Sequence, residues 1–482
     1  MNIRGIGNFI GLVLLLLSFF MAVPIVVSYL HRTHDLVPLA MSSALTFSLG
    51  ALLFFLTKKN EKEDIRHREA FLIVTLTWLI MSLCGSLPFL LSGTFGSFTD
   101  AYFEAMSGFT TTGSSVLTDI EGVPEGILFW RSMTQWIGGM GIIVFALAIL
   151  PFLGTGGMQL FKAEVPEISI DKLRPRIIDT AKSLWIIYLA LTAVDAILLS
   201  LAGMSFFDSL CHAFTTMATG GFSTKNAGMA AFQSPAVEYV TSCFMFLAGV
   251  NYSLYFYFFR GQYTRLWKSG EFRFYLAVTV IATVLIMVTV WGNTYQSLID
   301  SFRYALFQVT SIMTTTGYSS ADYEGWAPLA QVLLIILMFF GGMIGSTGGG
   351  IKQVRILLMI KQGFREIYQL IHPRAVIALK LDNKFLNKEI LGSIWGMVFL
   401  FLGVCTVGII GLAATGEDIV TSTTTVISAM CNVGPALGSA GPTESYAHIP
   451  AAGKWILIFC MLTGRLEVYT VLILLLPHFW KK

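Results

Sequence analysis

Four short segments of this 482-residue chain combine residue types that could handle a bare cation. Each ends in a turn where polar side chains lead into glycine: Thr111-Thr112-Gly113, Thr219-Gly220-Gly221, Thr315-Thr316-Gly317 and Asn432-Val433-Gly434. Carbonyl oxygens presented by such turns can replace the hydration shell of an alkali cation. Glycine is needed because an extended, carbonyl-lined turn asks for dihedrals that a Cβ forbids. Threonine hydroxyls add further hard oxygen ligands. A single turn of this kind reads as a link between two packed helices. Its recurrence points to a pathway instead, since the four glycines lie 108, 96 and 117 residues apart.

Each turn closes a semi-apolar stretch that begins near Asp100, Asp208, Ser301 or Thr421. These stretches are shorter than the roughly 20 apolar residues that a spanning helix needs, so re-entrant half-helices are expected. Irregular backbone at membrane depth is tolerated only inside protein or along a water-filled cavity. A half-helix entering from outside points its partially negative C-terminal end at that cavity, which favours a cation.

The elements that must position these turns follow from composition. Hydrophobic residues make up 55% of the chain and charged residues 12%, half the roughly 25% usual in soluble domains. Mean hydropathy is +0.72. A cytosolic globule and a disordered chain are both excluded. The net charge of +3 comes with no basic tract suited to nucleic acid. Ten spans are expected: Gly7–Leu30, Val37–Leu56, Glu69–Leu91, Ile127–Phe152, Ser183–Leu201, Val237–Phe259, Phe274–Trp291, an interrupted Leu329–Ile360, Ile390–Ala413 and Trp455–Leu476. The first is read as a retained helix, being too long for a signal-peptide core. With both termini cytoplasmic, 25 Lys/Arg fall on inside segments and five outside, with Arg465 within a span. That is the expected positive-inside bias. The fold class is therefore an all-α polytopic membrane protein. Two leading helices (residues 1–60) precede four membrane–pore-loop–membrane repeats at 61–160, 161–262, 263–370 and 371–482, arranged around a pseudo-fourfold ion pathway.

Two further features lie at membrane depth. The run Gly345-Ser346-Thr347-Gly348-Gly349-Gly350 should break its helix, because glycine is a poor helix former. It reads as a movable intramembrane loop across the pathway. Arg465 is costly in a span and should face the protein interior or a water path. It either pairs structurally with Glu467 or stands at the constriction near that loop. Glu104, Asp119 and Glu121 could concentrate cations at the mouth or be solvated loop charges, and His212 reads as a packed helix residue. The six scattered cysteines and the His31/His34 pair give no metal-site spacing. An integral membrane enzyme would need clustered His, Asp or Glu at depth, so no enzyme and no tightly bound cofactor is expected.

With FTTTGSS, MATGGFST, MTTTGYSS, CNVGPALG, GGMIGSTGGGIKQVRIL and GRLEV in this order, the chain resembles the TrkH/KtrB/HKT superfamily of potassium transporters, nearest its TrkH/TrkG branch. The resemblance covers essentially the whole chain. It implies potassium as the transported ion and one filter glycine per repeat, carried over as Gly113, Gly221, Gly317 and Gly434. Gly221 is preferred to Gly220 because the Phe-Ser after it matches the Tyr-Ser after Gly317. Glycine at all four positions implies preference for potassium over sodium. The resemblance also implies a gating loop beneath the filter, a homodimer, a cytosolic TrkA-type nucleotide-binding ring as partner, and a bacterial inner membrane. The alternative is a proton- or sodium-coupled secondary transporter of another cation.

Overall fold

The computed structural model describes residues 3–57, 67–149, 173–375, 378–382, 384–385 and 388–481. The expected cytoplasmic links at 57–68 and 161–182, and the end of the span at 127–152, lie largely outside these. Among the described residues the protein is mostly helical, with one two-stranded hairpin, Lys380–Leu381 against Lys384–Phe385.

Its surface is inverted relative to a soluble protein. On the helix Gly270–Val290, Val280, Ile281, Leu285 and Val288 face outward, while Tyr275, Thr279 and Thr283 are buried. Apolar side chains outside and hydroxyls inside suit a lipid solvent, and the Tyr275 and Thr279 hydroxyls donate to Phe246 O and Tyr275 O. Among the described residues, six helices are long and apolar enough to cross a membrane. Two of them, Ile3–His31 and Leu36–Leu56, form the leading hairpin. Gly11 and Gly50 let them approach so closely that a Cβ at either would meet backbone of the other. Asp35 then ties the hairpin to the first repeat, its carboxylate accepting from Ser28 Oγ at 2.6 Å and from the Ile127 amide at 2.8 Å.

Four short helices occupy the expected re-entrant positions: Phe98–Phe109, Phe206–Met217, Leu298–Met313 and Ile419–Cys431. They start by one local rule. Ser97, Ser205 and Ser297 cap the first three, accepting from the amides of Asp100, Asp208 and Asp300, and Asp418 caps the fourth through the Val420 and Thr421 amides.

The helices that follow the turns depart from the sequence reading in two places. Val237–Phe259 is not one span: Pro235–Ala248 and Tyr252–Phe259 meet at 96°. Gly249 weakens the helix there, and Asn251 starts the second piece by accepting from the Ser253 amide at 2.8 Å. Trp455–Leu476 likewise splits into Ala451–Arg465 and Val468–Leu475, with Glu467 at φ +62° between them. In the third repeat, Pro328–Phe340 and Gln353–Ile371 flank the Gly-rich break. In the second, third and fourth repeats, therefore, the inner helix is interrupted.

Candidate functional site

The four turns share one backbone conformation. Thr111, Thr219, Thr315 and Asn432 have φ between 51° and 62°. Two residues on, Gly113, Gly221, Gly317 and Gly434 have φ of 87°, 77°, 81° and 108°. Gly221 holds this place in the second repeat, while Gly220 keeps a negative φ.

The turns meet in a closed ring. A Cβ added to Gly113 would strike the carbonyl oxygen of Gly220, one at Gly221 that of Thr316, one at Gly317 that of Val433, and one at Gly434 that of Thr112. Each glycine thus abuts the carbonyl just before the next repeat's glycine, and the fourth repeat returns to the first. Glycine is demanded by φ and by space together. The four glycines also line a single cavity of about 340 Å³, with Ser115, Ser223, Ser319, Arg131 and Lys225 around it.

The break in the third repeat packs against the other side of this ring. The Thr347 hydroxyl donates to Met217 O, the last residue of the second half-helix, at 3.0 Å, and to Ala248 O at 3.3 Å. The Gly350 amide donates to Cys431 O, the last residue of the fourth half-helix, at 3.0 Å. Gly349 N donates to Thr315 Oγ1 at 2.6 Å. The Met343 amide bonds Gly249 O and Gly345 O accepts from Tyr252 N, so the two breaks of the second and third repeats lock together. Glu271 accepts from the Ile344 amide at 2.8 Å, and Lys352 Nζ donates to Gly348 O.

Arg465 is buried here and donates to Thr347 O at 2.7 Å and to Gly138 O at 3.5 Å. The Arg465–Glu467 pair considered from sequence does not form. Glu467 binds Arg355 instead, at 2.7 Å, because the backbone turn at Glu467 sends the two side chains apart.

Both sequence readings of Glu104 are corrected. It is wholly buried and paired with Arg131 at 2.7 Å. It also accepts from the Ser115 hydroxyl and the Val116 amide, while Arg131 donates to Ser223 O at 2.8 Å and covers the Phe222 ring. This pair stitches the strand after Gly113 to the strand after Gly221. Sequence alone hid it, since the partners stand on different helices. Asp119 and Glu121, in the loop after the first turn, accept hydrogen bonds from Asn226. His212 is buried, its Nδ1 against Asp208 O at 2.7 Å and its Nε2 against Ser223 Oγ at 3.0 Å. Sequence reasoning also missed Asn251, although an N-cap residue two positions after Gly249 in an apolar run was the available signal.

Comparison with known proteins places this architecture. A family model described as TrkH, cation transport protein, matches residues 39–482. The chain is 40% identical to the Trk system potassium uptake protein TrkH of Salmonella typhimurium and 41% identical to that of Halomonas elongata, each over the full length of both. It is 34% identical to the Trk system potassium uptake protein TrkG of Escherichia coli, covering 100% of this chain and 99% of that one. The crystal structure of the potassium transporter TrkH from Vibrio parahaemolyticus superposes with a TM-score of 0.92 at 39% identity, covering both chains fully. The ring of glycine turns, the helical membrane body and these full-length matches lead to one assignment: the chain belongs to the TrkH family of cation transport proteins.

Proposed function

We propose that this protein carries potassium into the cell through the ring of four turns. The observation that carries the proposal is the closure of that ring, each filter glycine seated against the carbonyl of the next repeat. Residues Thr111–Gly113, Thr219–Gly221, Thr315–Gly317 and Asn432–Gly434 form the filter, and their carbonyls replace the ion's water. The half-helices Phe98–Phe109, Phe206–Met217, Leu298–Met313 and Ile419–Cys431 end at this ring, and their negative ends stabilise a cation there. The names of the full-length relatives support potassium as the ion.

The loop Gly345–Gly350 is the gate, and Arg465 holds it shut through Thr347 O. The Arg465 charge, buried at the inner ends of the half-helices, raises the barrier to a cation until the loop moves. The four repeats keep the boundaries given above, with the filter mouth outside, both termini inside and the protein in a bacterial inner membrane. A homodimer and a cytosolic nucleotide-binding ring of the TrkA type complete the working assembly. The latter docks on the basic cytoplasmic face that includes Arg355, Lys361 and Arg365.

Tracer rubidium and sodium influx into proteoliposomes, with and without the regulatory ring, tests the proposal beside Gly317→Ser. Rubidium flux that excludes sodium, with weaker discrimination in the variant, is expected, since a side chain at Gly317 runs into Val433 O. Equal sodium and rubidium flux in the unmodified protein would overturn the filter and move weight to a coupled transporter of another cation.

A further inference from the structure

The four filter strands are not anchored alike. In the first repeat, the Thr110 and Thr112 hydroxyls bond one another at 2.8 Å, and in the third, Thr314 and Thr316 do the same at 2.8 Å. Each pair ties the residue before the filter glycine back to the end of its own half-helix. The matching positions of the second repeat are Ala218 and Gly220, which have no hydroxyl to offer.

What replaces the pair comes from the neighbouring repeat. Gln135, wholly buried on the helix Glu125–Ile149, donates from Nε2 to Gly220 O at 2.6 Å and accepts at Oε1 from the Phe222 amide at 3.0 Å. The amide's orientation is fixed by chemistry, since a carbonyl can only accept and an N–H can only donate. The two bonds bracket Gly221, one on each side. Gly220 is explained by the same contact. Its φ is not positive, so its backbone does not require glycine. A Cβ there would fall inside the Gln135 carboxamide. In the other repeats this position is Thr112, Thr316 or Val433. The second repeat has given up its own side chain to admit one from outside.

We infer that Gln135 is the positioning residue that holds the second repeat's filter strand and aims its Gly220 carbonyl, and so sets ion discrimination in that quarter of the ring. This rests on the filter assigned above. A carbonyl held by a donated hydrogen bond keeps its direction, whereas a released one turns toward whichever ion or water is nearest. Discrimination then falls while permeation continues.

The test is the rubidium-to-sodium flux ratio in proteoliposomes for variants that elute from size exclusion as the unmodified protein does. Gln135→Met keeps the side chain's length and removes both hydrogen bonds. The ratio should fall about tenfold, which corresponds to about 1.4 kcal/mol, the scale of one hydrogen bond. Gly220→Ala, which displaces the carboxamide from the other side, should lower the ratio likewise, and it carries the test if Gln135→Met does not fold. Rescue is the reading that mere packing would not give. The triple variant Q135A/A218T/G220T installs the hydroxyl pair of the first and third repeats and should recover most of the lost discrimination. An unchanged ratio in Gln135→Met and Gly220→Ala would overturn the inference and leave the filter reading intact. An unmodified protein that does not discriminate would instead remove the filter reading itself.

Discussion

Arg131 lines the cavity bounded by the four turn glycines, where an unmatched guanidinium would repel every cation that entered. Glu104 cancels it from a position with no exposure at all. Removing one partner of such a pair leaves a buried, uncompensated charge and typically costs about 3–5 kcal/mol. Glu104→Gln should therefore lower the thermal midpoint of the purified protein markedly and weaken rubidium uptake at low concentration. An unchanged melting curve would show the pair to be dispensable. At the loop, Arg465→Gln removes a charge while keeping a donor for Thr347 O. Flux in the absence of the regulatory ring should rise several-fold, and a silent variant would separate Arg465 from gating. The sequence made Arg465 visible, because charge in an apolar run stands out. It hid the pairing of Arg131 with Glu104, because the partners stand on different helices and neither is unusual in isolation. Gln135 was hidden for a different reason: its partner is a backbone carbonyl, which leaves no mark in the sequence.

The four half-helices begin with caps that the sequence does announce. Ser97-x-x-Asp100, Ser205-x-x-Asp208 and Ser297-x-x-Asp300 are one repeated signal, and in the fourth the acid itself stands at the cap. Replacing Asp418 by Ala should cost about 1 kcal/mol, as losing a cap generally does, and should lower the thermal midpoint. Asp418 also gives this element a pH dependence of known sign. The Thr421 hydroxyl, with the Thr421 and Val420 amides, holds its carboxyl below the usual range. The stabilisation is fully present above the ordinary aspartate value of about 4 and is lost as pH falls through the lower folded value. The melting point of Asp418→Ala should therefore converge on that of the unmodified protein in strong acid, and a gap that widens there would contradict the assignment. Breaks in the inner helices were only partly legible. Three consecutive glycines at 348–350 announced one break. The breaks at Asn251, beside Gly249, and at Glu467, two residues after Arg465, each rest on a few residues inside a longer apolar segment, and hydropathy averages over so short a stretch.

The ring is closed at the level of the chain as well as at the four turns. The helix Val468–Leu475 packs against His67–Gly85 of the first repeat, and Arg68 donates to Lys481 O at 2.8 Å. The sidedness proposed above is tested by labelling. In a Cys243→Ser background, cysteines placed at Asn226 or Thr443 should react with an impermeant thiol reagent from outside, and those at Lys268 or Lys361 only from inside. Labelling of both pairs from one side would break the topology. The repeat spacing, the charge bias and the four turns were all readable, because each recurs along the chain. The closure was not, because it depends on which carbonyl each glycine touches. In a tetramer of identical subunits, every mutation is copied into all four walls of the pathway. Here each wall is written by its own stretch of one gene, so a single codon alters one quarter and leaves three as they were. In the proposed filter, substitutions can then retune ion preference in graded steps, and the repeats are free to solve the same anchoring problem by different means.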